Sequence, residues 1–152
     1  MSAPASLPKE IHRSVEQGEL QKVVKWLRKG GAIDAFGSST ANGGQTTTVT
    51  LLFAASGYAQ LEMVRELLKR GASVDLQTSL GWTALMNAAC GGHLSIVRVL
   101  LQHSASIDLQ SNGYTALMNS ADRGHEACVQ ALLRANANTE LLDVQERARR
   151  SA

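Results

Sequence analysis

The chain has 152 residues, of which 44% are hydrophobic and 18% are charged, a composition typical of one folded domain rather than a disordered chain. Its formal net charge is only +2 and basic residues are mixed with acidic ones, so charge indicates neither a nucleic acid nor an anionic membrane as the partner. The sequence shows no signal-peptide pattern and no apolar run long enough to cross a membrane. These features predict an intracellular, cytoplasmic protein without direct membrane insertion, and its two cysteines, Cys90 and Cys128, are predicted to be reduced thiols.

The first predicted pair of helices follows residues 1–8, which we expect to be disordered. A short helix starts near Ile11, and the apolar residues after it have the spacing of an amphipathic helix: Leu20, Val23, Trp26 and Leu27. Lysine and glutamate side chains are frequent throughout this pair. They predict a polar outer face of the kind that caps the end of a stack of repeats.

The segment 37–48, GSSTANGGQTTT, separates the first pair of helices from the second. It is small, polar and rich in glycine, and we interpret it as a flexible inserted loop. The insertion explains the wide spacing of 41 positions between Ile11 and Leu52, which occupy equivalent places in their units. An enlarged connection could touch a ligand, but we interpret this one as a surface insertion without a specific contact.

Three further units repeat one internal pattern. Leu52, Leu85 and Leu117 occupy equivalent positions and are separated by 33 and 32 residues. Residues 61–68 and 94–101 carry the apolar stripe that the second helix of the first unit also has. Each unit is therefore predicted to be a hairpin of two helices.

Short polar residues and glycines mark the predicted helix ends. Thr83 and Thr115 precede the first helices of their units, where a threonine oxygen can accept a hydrogen bond from a free N–H group. Gly92 and Gly124 stand where those helices end, a position that favours the left-handed conformation. The connection DLQSNGY is one residue shorter than DLQTSLGW in the preceding unit, so we predict a tighter hairpin there.

The unit GWTALMNAACGGHLSIVRVLLQHSASID, which begins at Gly81, resembles an ankyrin repeat along its whole length. It shares the threonine, leucine, paired alanines and Gly-His of the family pattern G-x-T-P-L-H-x-A-A-x-x-G-H. The resemblance extends from about Glu10 to Glu140 and implies an all-α fold, an ankyrin-repeat solenoid of stacked helix-turn-helix units with β-hairpin-like connecting loops. We assign the repeats to residues 9–36, 46–78, 79–110 and 111–141, and a charged C-terminal tail to residues 141–152.

The chain departs from the family pattern at two places. Met86, Met118 and Phe53 replace the usual histidine of Thr-Pro-Leu-His, so we expect packing to replace its polar contacts. In the second unit Ala59 replaces the glycine of Gly-His, and a left-handed alanine costs about 1 kcal/mol. We therefore predict that this turn shifts to Gly57.

No pattern of catalytic or metal-ligating residues occurs in the sequence. The four histidines form no H-x-x-x-H or H-E-x-x-H pattern, no C-x-x-C is present, and no phosphate-binding glycine loop follows a predicted strand. His93 and His125 match the Gly-His position, for which the resemblance implies a structural role. We predict no enzyme activity, no cofactor, no metal and no small-molecule substrate.

The resemblance implies a non-catalytic protein–protein interaction module that binds a protein partner through its concave face and hairpin tips. Trp82 and Tyr114 are the notable candidates, because aromatic side chains often anchor interfaces. Whether each ring binds a partner or packs over its own turn is left open. The predicted partner-binding residues are Phe36, Tyr58, Gln77, Leu80, Trp82, Asn87, Cys90, Gln110, Asn112, Tyr114, Asn119, Asp122 and Arg123, with Ser56 and Thr78 beside them.

The alternative is a structural scaffold subunit, built permanently into a larger assembly through an uncapped C-terminal end. Four leucines are predicted to be exposed at that end unless the tail covers them: Leu132, Leu133, Leu141 and Leu142. A nucleic-acid partner, suggested only by scattered arginines, has the least support. The sequence does not name the protein partner, because repeat specificity depends on a few surface residues.

Overall fold

The computed structural model describes residues 5–40 and 43–140, which form four successive pairs of helices. The first helices of the pairs are α1 (Lys9–Glu16), α3 (Leu51–Gly57), α5 (Ala84–Cys90) and α7 (Ala116–Asp122). The second helices are α2 (Leu20–Arg28), α4 (Leu61–Lys69), α6 (Leu94–Gln102) and α8 (Glu126–Arg134). Two antiparallel strands, β1 (Gly37–Thr40) and β2 (Thr46–Val49), lie between α2 and α3. The predicted helix-turn-helix solenoid is confirmed, and each predicted repeat interval contains one pair of helices.

Threonine caps begin three of the four first helices. Thr50, Thr83 and Thr115 each accept a hydrogen bond from the backbone N–H three residues later, at 3.2, 3.2 and 3.3 Å. The Thr83 N–H in turn donates to Met86 Sδ at 3.5 Å. Met86 and Met118 are buried as predicted. The Met86 sulfur is also a weak hydrogen-bond acceptor, and its contact completes the cap of α5.

The hydrophobic core lies between successive repeats. Val15, Ser56 and Ala89, which occupy equivalent positions on α1, α3 and α5, are fully buried. Such small side chains allow neighbouring first helices to approach closely. The first helices contact one another more extensively than the second helices do, and we call the side of the stack that the first helices form its inner face.

A repeated aspartate joins each repeat to the next on the polar side of the stack. Asp75 accepts hydrogen bonds from the Ser106 backbone N–H at 2.8 Å and from its hydroxyl at 2.6 Å. The same arrangement recurs one repeat earlier and, with the backbone bond alone, one repeat later: Asp34 with Ser73, and Asp108 with Asn138. These bonds fix the spacing of the repeats where the apolar core does not reach.

The prediction of a disordered N-terminal segment is wrong for residues 5–8. Leu7 is only 4% exposed and belongs to the core. Ser6 pairs with Phe36 in a parallel bridge, with Leu7 N–H donating to Phe36 O at 2.9 Å. The Leu7 side chain, which packs against the first repeat, holds this segment in place. Residues 1–4 lie outside the described part.

The prediction of a flexible loop at residues 37–48 is also wrong for residues 37–40 and 46–48, which form strands, whereas residues 41 and 42 lie outside the described part. β1 and β2 pair in register from Gly37 with Val49 to Thr40 with Thr46. The run Thr46–Val49 is β-branched, which favours a strand. Glycine content indicated flexibility, but Gly43 and Gly44 have positive φ values of 99° and 81°, which a tight chain reversal uses.

The turn after α3 does not shift to Gly57, which stays within the helix. Ala59 itself is left-handed with φ 58°, like Gly18, Gly92 and Gly124 at the equivalent positions, with φ 72°, 73° and 74°. The packing of α4 against α3 therefore fixes this turn, and Ala59 adopts a strained left-handed conformation.

The predicted tight connection before the fourth repeat is confirmed. Ser111 and Tyr114 exchange two backbone hydrogen bonds, each 2.9 Å long, around Asn112 and Gly113. Both central residues have positive φ, 50° and 81°, as a two-residue type I′ turn requires.

The C-terminal end is less exposed than predicted. Leu132 is fully buried, whereas Leu133 is 38% exposed and Val129 is half-buried. Leu141 and Leu142 lie outside the described residues, as does the predicted tail.

Substitution of Ala59 by glycine tests the strain in the second repeat. We expect Ala59→Gly to raise the free energy of unfolding by about 1 kcal/mol, because glycine adopts positive φ without a Cβ clash. Gly124→Ala is the matched control and should lower it by a similar amount, since a Cβ there meets no neighbour and only φ is at issue. Urea unfolding measures both, and a destabilised Ala59→Gly variant would contradict the strain assignment.

Candidate protein-binding surface

Three hairpins stand side by side along one edge of the stack: hairpin 1 (Gly37–Val49), hairpin 2 (residues 77–82) and hairpin 3 (residues 110–114). Thr48 and Ser79 join the first two, each backbone N–H donating to the other residue's hydroxyl oxygen at 3.0 Å. The Ser111 hydroxyl joins the next two by donating to Leu80 O at 2.7 Å. These bonds make the row of hairpins one connected surface.

Histidine side chains at the turns between the two helices of a repeat also link that repeat to the first helix of the preceding one. His93 Nε2 lies 3.2 Å from Gly57 O, and His125 Nε2 lies 2.9 Å from Cys90 O. A carbonyl oxygen only accepts, so each Nε2 carries the proton and donates. The structural role predicted for both histidines is confirmed.

Three adjoining cavities form a groove between hairpin 1 and the first helices, which we call the N-terminal groove. Their volumes are about 230, 350 and 240 Å³. His12 lines all three and is therefore near the middle of the groove. Other lining residues come from α1, β1, α3 and α5: Lys9, Arg13, Glu16, Ser38, Ser39, Thr40, Phe53, Tyr58 and Asn87.

A small polar network occupies the floor of this groove. The Tyr58 hydroxyl donates to Glu16 Oε1 at 3.1 Å, and His12 Nδ1 lies 3.5 Å from the same oxygen. Partial burial, together with the hydrogen bond to the Glu16 carboxylate and its charge, raises the pKa of the Tyr58 hydroxyl. Tyr58 therefore remains a neutral donor at physiological pH.

The predicted hairpin residues divide into exposed and packed side chains. Leu80 is 36% exposed, and Gln77, Gln110 and Asn112 are exposed as well. Trp82, half-buried, packs against the core. Tyr114 and Phe36 are also half-buried. Leu80 is thus the apolar hairpin residue most available to a partner.

The predicted residues at the ends of the first helices are likewise mixed. Tyr58 is 47% exposed, Asp122 and Arg123 are exposed, and Asn87 and Cys90 are half-buried. Asn119 is only 9% exposed and lies on α7, which packs against α5, so its placement on the surface is wrong. Ser56 and Thr78 are buried too.

The structure brings Tyr58 and Asn87 together in one cavity with residues that the sequence analysis missed. His12 and Phe53 line it from α1 and α3, and Ser39 lines it from β1. The repeat register places His12 and Phe53 at the position of the buried Met86, so it indicated packing and gave no signal for a surface role. Ser39 could not have been found while hairpin 1 was interpreted as a flexible loop.

No group of three or more histidine, cysteine, aspartate or glutamate side chains within residues 5–40 and 43–140 could hold a metal ion. Burial raises the pKa of the Cys128 thiol, which keeps that cysteine protonated. No helix in this part of the chain is both long and apolar enough to span a membrane.

Comparison with known families agrees with this architecture. The family profile that describes ankyrin repeats in three copies matches residues 11–105 and, in a second overlapping match, residues 51–143. The chain belongs to the ankyrin repeat family. Members of this family generally mediate protein–protein interactions and are typically non-catalytic. No curated protein matches the chain.

Two substitutions in hairpin 2 test whether Trp82 packs against the core while Leu80 remains exposed. We expect Trp82→Ala to lower the free energy of unfolding by about 2 kcal/mol, because the half-buried indole loses its contacts with the core. Leu80→Ala, two residues away, should stay within about 0.5 kcal/mol of the parent. Thermal or urea unfolding of the two variants distinguishes them, and equal stabilities would show that the Trp82 ring does not pack.

Proposed function

We propose that this protein is a non-catalytic interaction module that binds a protein partner through its inner face and hairpin row. The observation that carries the proposal is the N-terminal groove, which combines an extended concave shape with exposed aromatic and polar side chains. Grooves of this kind, with an aromatic residue beside them, are suited to hold a peptide or loop of another protein.

The exposed side chains support this assignment. Tyr58 and Leu80 are two of the large apolar or aromatic residues that remain most accessible, and both belong to the proposed surface. The hairpins and first helices that carry them are held by bonds between repeats. The surface is therefore preorganised, which reduces the entropy lost on binding.

One observation favours the alternative of a structural subunit docked at the C-terminal end. Val129 is half-buried, whereas Val23, Val64 and Val97 at the equivalent positions are fully buried by the next repeat. Leu133, close by on α8, is also exposed. A partner or further repeat packed there would cover both side chains.

Affinity capture with paired variants tests the two proposals. We expect the Tyr58→Ala/Leu80→Ala double variant to recover much less of the protein that the parent chain binds, because both removed side chains are exposed on the proposed surface, Tyr58 in the groove and Leu80 in hairpin 2. Leu133→Ala is the matched control, since Leu133 has an exposure of 38% but lies on α8. Quantitative mass spectrometry of the captured proteins gives the comparison.

Two outcomes decide between the proposals. If the double variant loses the partner and Leu133→Ala keeps it, the inner face and hairpin row form the binding site. If Leu133→Ala loses the partner and the double variant keeps it, the structural-subunit proposal is correct instead. Equal thermal stability of all variants is checked first, so that unfolding is not mistaken for lost binding.

A further inference from the structure

We infer that the outer edge of β1 binds an extended, acidic peptide segment of the partner as an added strand. This inference rests on the proposed function and specifies both the mode of binding and the chemistry of the partner. The occupied site would be the part of the N-terminal groove between β1 and α1.

The pairing of hairpin 1 leaves the backbone of Ser38 and Thr40 directed outward. Along a strand, the N–H and C=O groups of successive residues point to opposite sides. The N–H and C=O of Phe36 both bond to the N-terminal segment, so Ser38 and Thr40 point to that same side. Outside the pairing of β1 with β2, neither residue makes a backbone hydrogen bond to another part of the chain that the structure describes.

An independent contact supports this geometry. Thr48, the partner of Ser38 in the register, donates its N–H to Ser79 rather than to β1. Ser38 and Thr48 therefore form a pair without mutual hydrogen bonds, as the alternation requires. The same contact covers the outer edge of β2 with hairpin 2, so β1 carries the open edge of this sheet.

The edge already accepts a strand at its start. Phe36 N–H donates to Ala5 O at 3.1 Å and Leu7 N–H donates to Phe36 O at 2.9 Å. The pairing ends after Leu7, because the next N–H that would point toward β1 belongs to Lys9, which is already the first residue of α1. The chain's own segment thus occupies one pairing position and leaves the following two open.

The space beside the open edge fits an extended chain. A cavity of about 350 Å³ lies between Ser38–Thr40 and α1, and it continues into the neighbouring cavity beside Leu7. Strand addition at an exposed edge gives affinity through main-chain hydrogen bonds and specificity through the side-chain pockets alongside.

The charges along this cavity favour an acidic peptide. Lys9 and Arg13 line it, and both side chains are exposed without an ion-pair partner among the described residues. Glu16, the acidic residue that also lines it, already accepts a hydrogen bond from Tyr58. An acidic peptide side chain in this cavity would lie beside the two cations Lys9 and Arg13. The Glu16 carboxylate already accepts a hydrogen bond, so the site favours glutamate or aspartate in the peptide.

Selection of a phage-displayed library of random linear peptides on the full chain tests the inference without a known partner. We expect the selected peptides to be enriched in aspartate and glutamate and to lack proline where they pair. Their binding, measured by fluorescence anisotropy with synthetic peptides, should weaken by about tenfold or more in Lys9→Glu/Arg13→Glu, because like charges then face each other. Lys25→Glu/Arg28→Glu on α2 is the matched control and should leave affinity unchanged.

A backbone variant tests strand addition itself. Ser38→Pro removes an outward N–H but no hydrogen bond between β1 and β2, so it should abolish peptide binding while the thermal unfolding temperature stays near that of the parent. If it lowers that temperature strongly, the Ser38 amide is tested instead by hydrogen exchange of the parent chain with and without peptide, which should show slower exchange in the complex.

Other results overturn the inference. Selected peptides that are not acidic, or that bind Lys9→Glu/Arg13→Glu as tightly as the parent, contradict the assigned chemistry. If peptide binding is lost in Leu80→Ala but not in Lys9→Glu/Arg13→Glu or Ser38→Pro, or if the library yields no binders, β1 is not the binding site. The proposed function is then tested separately by partner capture. A chain that dimerises in sedimentation analysis, and becomes monomeric with Ser38→Pro, shows that the edge pairs with a second copy.

Discussion

The apolar surface of each repeat is buried by its neighbour, and the rest of the structure depends on this constraint. The first helices can stack closely because their contact positions carry small side chains such as Ser56 and Ala89. Aspartates such as Asp75 join the polar side of each repeat to the next, and histidines such as His93 do the same at the turns between first and second helices. Since these contacts recur along the stack, the repeats are expected to stabilise one another and to lose stability when separated.

The binding surface is a consequence of that stacking. The repeats set hairpins 1, 2 and 3 beside one another, where hydroxyl groups of Thr48, Ser79 and Ser111 join them. The same constraint holds Ala59 in a conformation that glycine would adopt more easily, because shifting the turn would misplace α4.

The sequence predicted the helices well because their signals are periodic. Apolar spacing located the second helices, and threonines such as Thr83 marked the starts of the first ones. It did not predict hairpin 1 or the packing of Leu7, since both depend on contacts with residues distant in sequence, such as Thr48 with Ser79. Asn119 was misplaced for the same reason: its burial follows from the helix beside it and not from its polarity.

Hydrogen–deuterium exchange of the chain with and without its captured protein partner tests the central claim most directly. The claim is that the inner face and hairpin row form the binding surface. We expect slower exchange in the bound state at residues 36–40 and 77–82 and at the end of α3, with exchange in α2 and α8 unchanged. Protection confined to α8 and the residues after it would contradict the account and place the interface at the C-terminal end of the stack.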